Sequence, residues 1–343
     1  MERPSGNELD GAARLLASAR ARLSAAAADL ALPQDLRLTE WQRRTVSALL
    51  ESLVGSIEDE LRSALVATLE GEGLEPARAA FASASVQIAL PILRRGEALS
   101  DPALIAALMR RAEEHRLHRK GGEPSLLLEL ANDEDAEVAA DAMAVLLAQS
   151  ARLDAFQEPL MGRAELPAEL EHGLLWAVAA ALRTYLTVRH GADPAAADEA
   201  IAAAAARLLA RYDEGETFDA RCLRLVGTLR DKERDGGLAA RALSGGSLTL
   251  ALAAMARASG IAVDAVWQLL SDPSGNGAAL ILRAARLSRA DAGAILVALG
   301  RGEPQVAGQL DRFDGLSPAE ADRLLTLWRA DPSYRAAVAG LAA

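Results

Sequence analysis

Alanine occupies 78 of the 343 positions, and this excess constrains the fold more than any other feature of the sequence. Alanine has the highest helix propensity because its side chain loses no rotamer entropy in a helix. Aromatic residues make up only 3% of the chain. No run of residues alternates between apolar and polar for long enough to predict a strand. The sequence therefore predicts an all-α protein.

Helix start signals recur along the chain at short intervals. Thr39 is followed by Gln42 at the spacing of a capping box, and Ser100-Asp101-Pro102 places a capping residue before a first-turn proline. Asp133 to Asp135 are expected to cap a helix that begins at Ala136. In the last hundred residues, helices are predicted near 234–243, 247–259, 262–271, 276–286, 288–299, 303–312, 317–329 and 332–342.

Many short helices joined by a few residues are typical of helical-repeat proteins. Helix pairs of roughly 40 residues in tandem predict an irregular HEAT-like array, an α-solenoid, with an N-terminal helical segment. We divide the chain into N-terminal helices at 1–74, a candidate dimerisation bundle; HEAT-like repeats at 75–243; and a compact helical region at 244–343. A helix over 76–95 should be kinked or divided at Pro91, and 154–163 is predicted as a weaker element.

Charge and cysteine content limit the classes of partner. The net charge of −11 and the isoelectric point near 5.0 argue against nucleic-acid binding, which requires a basic surface. Cys222 is the only cysteine, so no intramolecular disulfide is possible and a reducing compartment is expected. The first residues lack a signal-peptide core, and no stretch has the roughly 18 apolar residues of a membrane span. We therefore expect a soluble cytoplasmic protein without a membrane partner.

Two further compositional features concern packing. Arginine outnumbers lysine by 35 to 2, and its planar guanidinium suits carboxylate pairs between helices, although the codon bias of a GC-rich genome would produce the same excess. The four tryptophans, Trp41, Trp176, Trp267 and Trp328, are each expected to fill a gap between alanine-rich helices. Neither feature specifies an activity.

Two stretches carry a resemblance to a known family. The first is Val86-Gln87-Ile88-Ala89-Leu90-Pro91-Ile92-Leu93-Arg94 with Leu99-Ser100-Asp101-Pro102 after it, and the second runs from Arg241-Ala242-Leu243 through Leu269-Leu270-Ser271-Asp272-Pro273 to Ala284-Ala285-Arg286-Leu287. Both resemble an uncharacterised family of HEAT-like helical proteins, a domain of unknown function found mostly in alphaproteobacteria, over roughly residues 40–300. The resemblance implies a helical fold and a bacterial cytoplasm, and it implies no activity.

A third stretch, Ser56-Ile57-Glu58-Asp59-Glu60-Leu61-Arg62-Ser63-Ala64-Leu65, resembles the phosphoacceptor helix of sensor histidine kinases, His-Glu-Leu-Arg-Thr-Pro-Leu. Asp59 stands in place of the histidine, and Ser63 in place of the threonine, so no phosphohistidine can form there. The resemblance implies a docking helix for response regulators in which Asp59, Arg62 and Ser63 contact the partner. Both Asp59 and Arg62 should then be exposed. A chance match on a HEAT-type helix is the competing interpretation.

Residues with catalytic chemistry are few. His115 and His118 share a helix face, but a metal site needs a third ligand that the spacing does not supply, so we predict no metal and no cofactor. His115 remains a candidate phosphoacceptor. Gly275-Asn276-Gly277 opens a helix without the pattern of a phosphate-binding loop, and is read as a turn. Cys222 beside a leucine stripe is read as a packing residue.

These observations favour a non-catalytic scaffold that binds another protein in bacterial signalling or regulation. Helical arrays offer extended concave surfaces for this purpose. One alternative is a pseudo-histidine-kinase-like dimer that docks response regulators through the helix around Asp59. Another is a phosphotransfer module that uses His115. We also expect a homodimer formed through residues 8–70.

Overall fold

The computed structural model describes Leu32 and residues 37–66, 75–83, 86–96, 98–121, 125–229 and 237–342. The chain divides into two compact units, Met1–Arg43 and Arg44–Ala343. The segment expected to dimerise, 8–70, and the predicted N-terminal bundle, 1–74, are described only in part. Residues 1–31, 33–36 and 67–74 lie outside the described residues. The dimer therefore stays a prediction.

In the first unit, the capping box predicted from the sequence is present. The Thr39 amide donates to Gln42 Oε1 at 2.8 Å, and the Gln42 amide donates to Thr39 Oγ1 at 3.2 Å. These reciprocal bonds satisfy two amides that a helix start leaves without partners, and a helix accordingly begins at Glu40.

Within the described ranges the secondary structure is helical, without a strand, and Leu153 and Pro159 form an isolated bridge. The seventeen α-helices of these ranges are α1 (Glu40–Val66), α2 (Glu75–Ser83), α3 (Ala89–Leu93), α4 (Pro102–Gly121), α5 (Ser125–Leu130), α6 (Ala136–Ser150), α7 (Ala168–His190), α8 (Pro194–Leu209), α9 (Phe218–Leu229), α10 (Gly237–Ser244), α11 (Leu248–Ser259), α12 (Val263–Leu270), α13 (Asn276–Ala284), α14 (Arg289–Ala298), α15 (Glu303–Gly315), α16 (Pro318–Leu324) and α17 (Pro332–Ala342). The prediction of an all-α protein is confirmed, and the succession of short helices is consistent with the predicted repeat array.

Helix α11 lies at the centre of the second unit. It packs against α4, α9, α10, α12 and α13 and is buried on almost every side. One continuous core extends from Leu117 to Leu325, and it includes both Leu243 and Leu248 on the two sides of the predicted boundary at 243/244. None of the described helices is by itself long and apolar enough to cross a membrane; α11 and α12 reach that length only as a pair bent by 104°.

Two glycines bring α4 against the turn between α10 and α11. A Cβ atom at Gly121 would lie 2.6 Å from the Gly246 amide nitrogen. Gly246 has φ +76°, and a Cβ atom there would lie 2.8 Å from the Cα of His118. Only glycine fits such a backbone approach together with a left-handed conformation. This contact fixes the C-terminal end of α4, which carries both His115 and His118.

The helix predicted over 76–95 is two helices, α2 and α3, and the division lies before Pro91 rather than at it. Glu58 on α1 accepts hydrogen bonds from the amides of Ile88 and Ala89, both at 2.8 Å, so a new helix starts there.

The weak element predicted over 154–163 is not helical before Arg163, where a 3₁₀ helix begins. Asp154 instead closes a turn by accepting from the Phe156 and Glu158 amides at 2.7 and 2.8 Å.

Candidate functional site

Residues 56–65, the stretch compared above with a phosphoacceptor helix, are part of α1. Asp59 is exposed, and Ser63 donates its hydroxyl to the Asp59 carbonyl at 2.8 Å. Leu61 and Leu65 are fully buried. Arg62, however, is only 6% exposed. A partner that docks through Arg62 requires this side chain to be exposed, so the predicted exposure of Arg62 is wrong.

Arg62 is buried because it forms part of a structural connection that the sequence did not reveal. It pairs with Glu58 one turn earlier, and its Nη2 donates to the Val86 carbonyl at 2.7 Å. Glu58 is 1% exposed and uses both carboxylate oxygens on the start of α3. The two side chains thus fasten the 86–89 segment to α1, so Arg62 has a structural role.

His115, the candidate phosphoacceptor, is 2% exposed. Its Nδ1 atom is buried and has no hydrogen-bond partner within the described part of the chain. Burial and the charge of Arg111 lower the pKa of His115, so the imidazole is neutral at pH 7. A buried ring cannot reach a phosphodonor. The neighbouring His118 contacts Gln149 instead, with Nδ1 3.2 Å from Nε2.

Next to His115 lies a cluster of four charged residues, Arg111, Glu114, Arg152 and Glu165, which we call the buried charge cluster. Arg152 Nη1 lies 2.6 Å from Glu114 Oε2, and Arg152 Nε lies 2.5 Å from Glu165 Oε2. Arg111 Nη1 is 3.7 Å from Glu114, and its Nη2 donates to the Arg152 carbonyl at 2.5 Å. Thr249 on α11 completes the site by donating its hydroxyl to Glu114 at 2.8 Å.

The charges in this cluster stabilise one another. Burial by itself would raise the pKa of Glu114, but Arg152, Arg111 and the Thr249 hydrogen bond outweigh it and lower the pKa to about 2. Burial and the charge of Arg152 lower the pKa of Arg111 to about 10. Arg152 has a raised pKa, because Glu114 and Glu165 outweigh the effect of its burial. Arg111, Glu114 and Arg152 are therefore ionised at neutral pH, and the cluster holds α4 to the 152–165 segment.

The described residues contain no group of three or more side chains that could hold a metal ion. Cys222 is fully buried in the core, and burial raises the pKa of its thiol, which fits the packing role predicted for it.

At the turn before α13, the Asp272 carboxylate accepts hydrogen bonds from the amides of Ser274 at 3.1 Å and Gly277 at 2.8 Å. These bonds hold the turn that was predicted at Gly275-Asn276-Gly277.

A groove of about 780 Å³ opens beside this turn. Its wall is formed by α12, α13, α15, α16 and a 3₁₀ helix at Leu327–Arg329. The side chains that line the groove are mainly apolar, with four polar or charged ones among them: Leu269, Ala279, Leu280, Leu316, Leu324 and Trp328, with Gln268, Asp272, Asn276 and Arg312. Trp328, which we expected to fill a core gap, is partly buried against the core and also lines this groove.

Two properties distinguish the groove from a packing defect. Leu324 is 56% exposed, so part of its apolar side chain faces solvent. Arg312 is also exposed, and its guanidinium donates a hydrogen bond to the Ser274 carbonyl at 3.1 Å. The groove therefore combines an open apolar surface with an exposed cationic side chain. No sequence pattern had grouped these residues into one site, because they come from five separate elements.

Comparison with known proteins gives one match. A model of a bacterial family, described as an uncharacterised protein conserved in bacteria (DUF2336), matches residues 120–326. No curated protein and no solved structure matches the chain. The matched residues begin at the end of α4 and include most of the groove, whereas residues 56–65 lie outside them. Since more than half of the chain is matched, the protein belongs to this uncharacterised bacterial family, DUF2336.

Proposed function

We propose that the protein is a non-catalytic, HEAT-like helical scaffold that binds another protein in bacterial signalling or regulation. The observation that carries this proposal is the open apolar groove beside Leu324 and Trp328. Exposed apolar patches with polar edges are typical of protein interaction sites. Docking through Asp59 and phosphotransfer through His115 rank behind it, because Arg62 and His115 are buried.

The groove fits an amphipathic helix of the partner. In this mode of recognition, apolar side chains at i, i+3 or i+4, and i+7 insert between helices of the receptor. Leu280, Leu324 and Trp328 supply the apolar surface. Arg312 supplies a positive charge, while the carboxylate of Asp272 is engaged with backbone amides. We therefore expect an Asp or Glu on the partner helix opposite Arg312.

Site-specific photocrosslinking in the native bacterium tests this proposal. A photoreactive amino acid replaces Leu324 in one variant and Val188 in a control, since Val188 is 81% exposed, lies on α7 and does not line the groove. We expect an adduct at position 324 that is absent at position 188. The crosslinked segment, identified by mass spectrometry, should have one apolar helical face and an acidic residue beside it.

Binding of the identified segment, as a synthetic peptide, is then measured with purified protein. We expect Leu324→Glu to weaken binding by about tenfold or more, since removing a central apolar contact typically costs over 1 kcal/mol. The control Leu341→Glu, at a 91% exposed site on α17, should bind as the unmodified protein does. Equal binding by both variants, or no adduct at position 324 above the control, would contradict the proposal.

A further inference from the structure

Four large hydrophobic side chains remain exposed within residues 324–341, at the C-terminal end of the described chain. Leu324 is 56% exposed, Leu327 43%, Tyr334 59% and Leu341 91%. Exposed apolar side chains in such concentration are typical of surfaces that another chain covers. Leu324 belongs to the groove, whereas Tyr334 and Leu341 lie on α17. This end of the protein therefore has two apolar surfaces, a groove and a helix.

The exposed side chains of α17 form one stripe. Tyr334, Val338 and Leu341 follow Asp331 at intervals of three, four and three, which keep side chains on one face of a helix. Asp331 is exposed and caps α17 by accepting a hydrogen bond from the Ser333 amide at 2.8 Å. We call Asp331, Tyr334, Val338 and Leu341 the α17 stripe. It begins with a carboxylate and continues with side chains suited to an apolar contact.

The one charged residue between Pro332 and Ala342, Arg335, lies off this stripe and holds α17 to its own chain. Its guanidinium lies 5.6 Å from the centroid of the Trp328 ring and 3.6 Å from the Asp264 carboxylate. Trp328 also lines the groove, although none of the described α17 residues does. Helix α17 therefore begins beside the groove of its own copy and directs its stripe elsewhere.

The α17 stripe has the features that the groove requires of a bound helix. The groove offers apolar side chains and the exposed guanidinium of Arg312, which forms no ion pair within the part of the chain that the structure describes. Asp331 likewise forms no ion pair there. An apolar stripe with a carboxylate at one end thus matches an apolar groove with a cation, and opposite charges fix the orientation of such a contact.

We propose that two copies of the chain associate by docking α17 of each copy into the groove of the other, with Asp331 opposite Arg312. Groove and helix are neighbours in each copy, so one two-fold axis makes both contacts at once and closes the dimer. This inference rests on the proposed function, because it uses the same groove. It names the occupant of the groove when the partner is absent, which the partner helix must displace.

The dimer is held by small contacts. An 11-residue helix is only about 16 Å long, and small interfaces are typical of weak, reversible complexes. The dimer should therefore dissociate on dilution. Binding of the partner peptide is measured with the dissociated chain, in which Leu341→Glu stays a neutral control.

Photocrosslinking with purified protein alone tests the occupant. A photoreactive amino acid in place of Leu324 should give a covalent dimer at high protein concentration, and the adduct should map to residues 331–341. Only the covalent dimer is mapped, so contacts within one copy are not counted. The same amino acid in place of Val188, on α7, should give no dimer. An adduct in another segment, or no covalent dimer up to millimolar concentrations, would overturn the proposal.

Charge reversal tests the pairing of Asp331 with Arg312. The variants Arg312→Glu and Asp331→Arg should each sediment as monomers at concentrations where the unmodified chain dimerises. Their equimolar mixture should dimerise, because both contacts of the mixed pair then join opposite charges. Asp331→Asn keeps an oxygen that can cap α17 and removes only the charge, so it should weaken the dimer roughly tenfold through the loss of two ion pairs. A mixture that stays monomeric contradicts the pairing.

Apolar variants separate this proposal from the proposed function. Leu341→Glu should abolish the dimer, whereas Leu147→Glu, at a 66% exposed site on α6, should leave it unchanged. A dimer that persists in Leu341→Glu would overturn the inference and leave the groove open to a partner. The proposed function fails separately, if crosslinking at position 324 in the bacterium captures this chain and no other protein.

Competition connects the two proposals. The peptide identified as the partner segment, added in excess to the concentrated protein, should convert the dimer to monomers, because both helices require the same groove. A peptide that binds without dissociating the dimer would place α17 outside the groove and overturn the inference.

Discussion

Replacing Glu114 by Gln should strongly destabilise the protein. Glu114 is 5% exposed and lies 2.6 Å from Arg152 and 3.7 Å from Arg111. The glutamine side chain can still accept a hydrogen bond from the Thr249 hydroxyl. It leaves the buried guanidinium groups of Arg111 and Arg152 with one carboxylate, Glu165, in place of two. Removing one partner of a buried ion pair typically costs about 3–5 kcal/mol.

The pKa of Glu114 gives an independent magnitude. The folded protein lowers this pKa from 4.5 to about 2, and a difference of about 2.5 pKa units corresponds to about 3 kcal/mol of stabilisation at neutral pH. This stabilisation is fully present above pH 4.5 and is lost as the pH falls through about 2, because the unfolded chain takes up the proton first. We expect a loss near 3 kcal/mol, at the lower end of the range, because Arg152 keeps Glu165.

Urea unfolding at pH 7, followed by circular dichroism at 222 nm, measures this loss. The matched control is Asp198→Asn, which removes the partner of Arg183 from an exposed ion pair. Solvent screens that pair, so the control should unfold at nearly the same urea concentration as the unmodified protein. A loss below 1 kcal/mol for Glu114→Gln would refute the reasoning, since the buried cluster would then contribute little to stability.

Three further outcomes follow from the structure. Gly246→Ala should cost about 2 kcal/mol or more in thermal unfolding, because it combines a positive φ with a Cβ atom 2.8 Å from the His118 backbone. Burial and Arg111 lower the pKa of His115, so stability should fall as the pH drops below about 6.5, and His115→Gln should reduce this pH dependence in urea unfolding. Cys222 should not react with a thiol reagent until denaturant is added, because it is buried and its thiol pKa is raised.

Local signals predicted the helices well. Asp101 accepts from the Ala103 amide at 2.7 Å, and Asp135 accepts from the Glu137 amide at 3.1 Å, as the predicted caps at Pro102 and Ala136 require. Ser317 forms a capping box with Glu320 at the start of α16. Such bonds join residues two or three positions apart, so the sequence contains all the information that they need.

The candidate sites were predicted much less well. The docking hypothesis selected Arg62 from its neighbours on α1, but the partner that buries it, the Val86 carbonyl, lies 24 residues away. The buried charge cluster was missed because Glu114 meets Thr249, 135 residues later. The excess of arginine over lysine was the one signal of such pairs, and it did not indicate which residues form them.

The sequence by itself determined that this chain is helical, where most of its helices begin, and that it belongs with a bacterial family of helical proteins. Helix propensity and capping are local properties, so they can be read without knowledge of the packing. Only the tertiary structure decided which charges are buried, and which apolar side chains, such as Leu324 and Leu147, remain at the surface. Burial depends on contacts between helices that are distant in the sequence. A helix with apolar residues on two faces has the same sequence pattern whether both faces are buried or one of them faces solvent.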